Sequence, residues 1–150
     1  MRLAFELMRI ADPHERLADM DERASKAHIA IVDDDALVRE SLSDCMESAG
    51  YSVECFASAE EFLASNSGQN AACLVLDTAC LILDIQLPGA SGLELQRRLG
   101  GTSGPPVVFV TANAADANRE LALKLGAKGF LAKPVRCREL QNAVKAAIPS

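Results

Sequence analysis

An α/β domain, with a five-stranded parallel sheet covered by helices on both faces, is what this sequence predicts, and three observations lead there. From His28 onward, short β-branched or apolar runs alternate with amphipathic helical stretches, the rhythm of βα units. Five strands and five helices can be counted in strict alternation, which favours parallel pairing with crossover helices. Polar and acidic residues then gather at the carboxyl ends of those strands, where open α/β sheets hold their ligands.

Taken in order, residues 1–27 differ in composition from the rest of the chain. They are charged, with Leu3, Leu7, Ile10, Leu17 and Met20 at loosely helical intervals. Asp12, Pro13 and Glu15 form a helix start of N-cap, first-turn proline and capping-box acid. This segment reads as an N-terminal helical extension to a domain spanning 28–148. "HIAIVD" (28–33) is the first strand, and "ALVRESLSDCMESAG" (36–50) is a helix burying Leu42, Cys45, Met46 and Ala49, with Gly50 past its end. "YSVECF" (51–56) is a strand, and Ser58 caps "AEEFLAS" (59–65) with Glu61 as its capping-box partner. Beyond the polar "NSGQN" lies "ACLVLDTACLILDI" (72–85), one seven-residue phrase written twice. "SGLELQRRL" (91–99), "PVVFVT" (106–111), "AADANRELALKLGA" (114–127), "GFLA" (129–132) and "RCRELQNAVKAAI" (136–148) complete the alternation of helix and strand.

Composition excludes several classes. A chain of 150 residues with 49% hydrophobic content can bury a core as one domain. Fifteen Lys and Arg against 21 Asp and Glu give a net charge of −6, so no basic field exists for direct nucleic-acid binding. No apolar run reaches membrane-span length, and the charged N-terminus lacks a signal-peptide core, which points to a cytoplasmic protein. Five cysteines without a C-x-x-C pair suggest neither a disulfide framework nor a zinc site, and most read as small buried apolar side chains.

At the strand ends stand Asp33, Asp34 and Asp35, then an aspartate from the doubled segment, then Thr111 and Lys133. Carboxylates crowded at one rim raise one another's pKa unless a cation offsets them, and Mg²⁺ is satisfied by one or two carboxylates, a carbonyl and waters. A carboxylate nucleophile, a metal, a hydroxyl and an ammonium are the parts needed to take and hold a phosphoryl group.

"IVDDD" (31–35), "LILDIQLPGASGLEL" (81–95), "VVFVTA" (107–112) and "GAKGFLAKP" (126–134) together resemble the response-regulator receiver domains of two-component signalling, over residues 28–148. The resemblance implies a flavodoxin-like sheet in the order 2-1-3-4-5. It implies Asp34 as a direct Mg²⁺ ligand, Asp33 acting nearby or through water, and the backbone carbonyl of Gln86 completing the metal site. It further implies Lys133 as partner of the phosphoryl oxygens, Thr111 as the hydroxyl that moves toward them, and Phe130 as the ring that switches rotamer. A sensor histidine kinase is the implied donor and a downstream effector protein the implied listener. Two features depart from the family pattern: Val135, where many relatives carry a bulky aromatic, and the surplus copy at 72–85.

The duplication poses a choice of phosphoacceptor between Asp77 and Asp84, and spacing contradicts itself. Asp77 lies 43 residues past Asp34, the family's usual interval, whereas Asp84 lies 27 before Thr111 and 49 before Lys133, which are also usual. Three physical points favour Asp84. Only the second copy is followed by turn chemistry, "DIQLPGASG". Using Asp77 would force apolar "TACLIL" to bulge from the functional rim, whereas using Asp84 sends the surplus into the loop at the opposite rim. Ile82 also carries one methylene more than its counterpart Val75, worth about 0.8 kcal/mol if buried. The surplus copy itself fits a short helix, an added strand, an ordered loop, or a patch that pairs two copies into a homodimer.

The expected function is phosphoryl acceptance by Asp84, without enzymatic turnover, biasing a surface formed by the fourth strand, fourth helix and fifth strand. The rival is a receiver-fold scaffold or dimerisation module whose surplus copy has disabled the site. A Mg²⁺-dependent phosphohydrolase is a more distant rival, since Gln86 and Ala79 stand where such enzymes carry a second acid. Near-identical copies weaken the register of the third strand, so amide NMR spectra are expected to show peak doubling or concentration dependence. One sharp, concentration-independent set of signals would contradict that expectation.

Overall fold

The computed structural model describes residues 27–65 and 78–149. The expected extension at 1–27, apart from Ala27 and including its Asp12 cap, and the first copy of the repeat, apart from Thr78 and including Asp77, lie outside them. The elements are β1 (His28–Val32), α1 (Ala36–Ser48), β2 (Ser52–Phe56), α2 (Ala59–Ser65), β3 (Thr78–Leu83), α3 (Gly92–Arg98), a 3₁₀ turn (Gly101–Ser103), β4 (Val107–Thr111), α4 (Asp116–Lys124), β5 (Gly129–Ala132) and α5 (Cys137–Ala147). All neighbouring strands pair in parallel, in the order β2-β1-β3-β4-β5, as the resemblance implied.

Strand parity divides the core into two layers. Ala30, Val32, Leu81, Leu83, Val107 and Phe109 face α2, α3 and α4, packing against Phe62, Leu95 and Ala122. Ile29, Ile31, Cys80, Ile82, Val108 and Val110 face α1 and α5, packing against Leu42, Met46, Leu140 and Val144. The central strands are therefore apolar on both sides, which is why they read as continuous runs. In β3 the register with β1 slips by one residue at Ala79: His28 pairs with Thr78, but Ile29 pairs with Cys80. From Cys80 onward the second copy of the repeat is in step with β1, and Asp84 emerges at the strand's carboxyl end.

Local signals set the helix limits. Asp35 caps α1 by accepting from the Leu37 and Val38 amides. Ser58 accepts from Glu61 N as anticipated, while the Glu61 carboxylate reaches back one residue past the cap to accept from Ala57 N, a variant of the capping box. Helix α4 is shorter than its predicted span of 114–127, because Ala115 is extended and Gly126, at φ 101°, turns the chain left-handed. Ala49, expected in the core, is exposed, since α1 ends at Ser48 and Ala49 turns away as its C-cap.

One expectation is overturned. Cys45 of α1 and Cys137 of α5 form a disulfide across 92 residues, with Cα atoms 5.6 Å apart. Spacing rules miss such a bridge because the two positions meet only once the helices pack on the same face of the sheet. Among the other described cysteines, Cys80 is a buried apolar side chain whose thiol burial pushes up to about 12, and Cys55 on β2 is exposed. No described helix is long and apolar enough to cross a membrane.

Ile82 is 1% exposed in the middle of the sheet. Ile82→Val is expected to lower the urea unfolding free energy by about 0.5–1.5 kcal/mol with an unchanged m-value. No loss of stability would place the first copy, not the second, in the strand.

Candidate functional site

Five loops leave the carboxyl ends of the strands, and the residues singled out from the sequence converge there. Asp33 follows β1, Asp84 follows β3, Thr111 ends β4, and Lys133 follows β5. The Lys133 ammonium lies between the two carboxylates, 2.7 Å from Asp33 Oδ2 and 2.8 Å from Asp84 Oδ2. These are charge-assisted hydrogen bonds at the short end of their range. The opposite oxygens are also committed: Asp33 Oδ1 accepts from Asp35 N at 2.9 Å, and Asp84 Oδ1 from Gln86 N at 3.1 Å. Both carboxylates are thus aimed by the backbone just beyond them.

The acids differ in exposure. Asp33 and Asp84 are buried, while Asp34 is exposed beside them. Carboxylate oxygens of Asp33, Asp34 and Asp84 all lie within 4.8 Å of one another, a set of hard oxygen donors that fits a small divalent cation. Gln86 is exposed in the loop directly after Asp84, so its carbonyl belongs to the same rim.

Burial pushes the Asp33 carboxyl above its ordinary 3.8, outweighing the downward pull of the Lys133 and Asp35 hydrogen bonds. For Lys133, burial acts to lower the pKa, but hydrogen bonds to Asp33 and Asp84 and their charges win and hold it above 10.5. Its neighbours therefore favour the charged ammonium, which offsets the mutual repulsion of the two buried acids.

Thr111 is fully buried, and its Oγ1 accepts from Asn113 N at 3.1 Å, leaving its own proton to donate. Its carbonyl accepts from Lys133 N at 3.0 Å, so the backbones of β4 and the Lys133 loop are tied together. Phe130 is buried, its ring tilted against Phe109 at 6.2 Å between centroids, with the Arg119 guanidinium 6.0 Å from its ring centroid.

Three supporting residues escaped the sequence reading. Arg39, in α1, donates from Nη1 to the Asp33 carbonyl at 2.7 Å and fixes the β1–α1 loop. Glu60, in α2, accepts from Ala90 N at 3.0 Å; that hydrogen bond holds its pKa below 4.5 and ties down the loop after Asp84. Gly92 packs so closely that a Cβ there would run into the Asp84 carbonyl oxygen. Only the "SG" before the third helix hinted at the last of these; nothing along the chain marks the first two.

Asp84, and not a residue before Thr78, stands at the end of β3 and meets Lys133. Asp77 lies outside the described residues.

Comparison with known proteins shows the family of this fold. The family model for the response regulator receiver domain matches residues 29–145. The chain belongs to that family. It is 41% identical over 133 residues to the response regulator protein TodT of Pseudomonas putida, covering 88% of this chain and 55% of that protein. It is 34% identical over 125 residues to the transcriptional regulatory protein FixJ of Bradyrhizobium diazoefficiens, covering 83% of this chain and 58% of FixJ. The chain therefore spans little more than half the length of these curated relatives. Among solved structures, FixJ-N superposes with a TM-score of 0.67 at 30% identity, covering 82% of this chain and 94% of that one. A CheY-like receiver domain protein from Methanospirillum hungatei gives 0.67 at 31% identity, covering 81% and 92% respectively.

A folded-state pKa above 10.5 means that Lys133 contributes stability that is fully present below that value and is lost as pH rises through the higher one. Urea unfolding measured into that alkaline range should show wild type losing more stability than Lys133→Met. Parallel pH profiles would show that the ammonium is not paired as described.

Proposed function

We propose that this chain is the phosphoacceptor receiver of a two-component system, taking a phosphoryl group from the phosphohistidine of a sensor histidine kinase onto Asp84. The observation that carries the reading is the Lys133 ammonium held at 2.7 and 2.8 Å between two buried strand-end carboxylates, only one of which follows β3.

In this mechanism an Asp84 carboxylate oxygen attacks phosphorus, the donor's P–N bond breaks, and an acyl phosphate forms. The backbone hydrogen bond from Gln86 N orients the attacking carboxylate, and its neighbours Asp33 and Lys133 are already in place, so catalysis is mostly positioning. Lys133 then transfers its hydrogen bond from Asp84 to a phosphoryl oxygen, and the Thr111 hydroxyl donates to another. Asp33 and Asp34, with Asp84 and the Gln86 carbonyl, would hold Mg²⁺, which supplies neutralising charge for the phosphoryl oxygens when bound. Movement of Thr111 toward the phosphoryl group opens space beside β4, and Phe130 moves inward after it, changing the surface of α4 and β5 that a downstream effector reads. The protein acts as an acceptor without sustained turnover, in the cytoplasm where such kinases present their phosphohistidine.

Incubation with a small phosphoryl donor and Mg²⁺ should add one phosphoryl group to wild type and to Asp77→Asn by intact mass, and none to Asp84→Asn. Loss only in Asp77→Asn reverses the choice of acceptor. No uptake by any form favours a phosphorylation-impaired scaffold, and continuing release of phosphate from an ester favours a phosphohydrolase.

A second prediction concerns the loop behind the acceptor. Gly92→Ala, whose added methyl meets the Asp84 carbonyl, should slow uptake roughly a hundredfold, the penalty of a misplacement of about 1 Å. An unchanged rate would show that the loop gives way without moving the carboxylate.

A further inference from the structure

The Cys45–Cys137 pair lies outside the phosphoryl chemistry yet is built into the two helices that flank it. Helix α1 begins immediately after the acidic loop at Asp33–Asp35, and α5 begins with Cys137, four residues beyond Lys133. The disulfide therefore closes a ring whose other clasp is the Lys133–Asp33 ion pair. Between the clasps runs a groove of about 390 Å³, lined on one side by Leu37, Val38, Ser41 and Leu42 and on the other by Lys133, Pro134 and Val135. Cys45 is the next position along the same stripe of α1. The bridge thus ties the groove's two walls beyond the end opposite Lys133.

We propose that Cys45 and Cys137 form a reversible oxidation site that sets the mobility of the loop carrying Lys133. The sulfurs are bonded in this structure, and Cys45 Sγ also lies 3.3 Å from the Cys137 carbonyl oxygen, which is placed to accept a thiol hydrogen once the bond is reduced. A second link between the helices does not involve sulfur: Gln141 Nε2 donates to the Cys45 carbonyl at 3.0 Å. Cys137 is exposed at the start of α5, whereas Cys45 is buried, so Cys137 is the sulfur that meets a solution oxidant and Cys45 the one that resolves it.

The oxidant is a small-molecule disulfide of the glutathione class. The Cys137 thiolate attacks one of its sulfurs, forming a mixed disulfide and releasing one thiolate. The Cys45 thiolate then attacks Cys137 sulfur and releases the second. Two protein thiols lose two protons and two electrons, and the reagent disulfide becomes two thiols. In a reducing compartment the pair rests as thiols and closes under oxidation. Closure anchors α5 to α1 and holds Lys133 at Asp33 and Asp84, opposing its transfer to a phosphoryl oxygen. That consequence rests on the acceptor role proposed above, whereas formation of the bridge does not.

The test equilibrates the whole protein in glutathione buffers of graded redox ratio, with differential alkylation and peptide mapping to report each cysteine. Cys45 and Cys137 should oxidise together to one intramolecular link, before the exposed Cys55 is blocked. The oxidised form should take up phosphoryl from a small donor roughly fivefold or more slowly than the reduced form. Cys137→Ser, a surface change, should keep the reduced rate in every buffer. Amide hydrogen exchange over 133–140 should slow on oxidation whether or not phosphoryl uptake occurs, which separates this proposal from the acceptor role. Both thiols remaining alkylatable under oxidising conditions, or equal uptake rates and equal exchange in the two forms, would overturn it.

Discussion

A single ammonium group holds the functional end of this protein together. Asp33 and Asp84 arrive on adjacent strands with their carboxylates buried, an arrangement that like charges oppose unless a cation stands between them. Lys133 supplies that cation from the far side of the sheet, reaching both oxygens from a backbone position anchored to the Thr111 carbonyl. The arrangement is poised, because a group that neutralises two acids can exchange one of them for a phosphoryl oxygen while remaining paired. Desolvation of the two acids calls for the ammonium at rest, and in the proposed reaction the exchange of partners would give it a second use.

The sheet order is what lets three distant segments meet. With β1 and β3 adjacent at the centre, the residues after their last apolar positions, Asp33 and Asp84, are neighbours although 51 positions separate them in the chain. The one-residue slip at Ala79 puts the rest of β3 in step with β1, so that Leu83 pairs with Val32 and the aspartates after them come level. Around them, Arg39, Glu60 and the bare backbone of Gly92 hold the loops from the outside. Each of these contacts is made to backbone, so they aim the acids without competing for their charge.

Much of this was legible along the chain. Alternating apolar runs and amphipathic stretches marked the five strands and five helices, most plainly at β1, β3 and β4, because parallel strands buried on two faces leave a continuous apolar run. The strand order came only with the family resemblance. Asp84 could be preferred over Asp77 because only "DIQLPGASG" carries the Pro and Gly that a strand-to-helix turn needs. What could not be read were contacts that depend on elements lying side by side: the Cys45–Cys137 bridge, the Arg39 hydrogen bond and the Glu60 tether. An odd cysteine count without a C-x-x-C pair suggested no disulfide framework, but that reasoning treats cysteines as a sequence pattern, whereas α1 and α5 share a face only after folding. The exposed Ala49 and the early end of α4 are boundary errors of the usual kind, decided by a C-cap turn and a left-handed glycine that the hydrophobic pattern does not register.

On the function proposed above, the strand-end acid beside Lys133 is the one that receives the phosphoryl group. The most direct measurement is to phosphorylate wild-type protein, reduce the acyl phosphate with borohydride, and locate the modified residue by peptide sequencing. The account predicts that the reduced aspartate, now homoserine, is found at position 84 alone. Homoserine at position 77, or at any other acid in the chain, would contradict it.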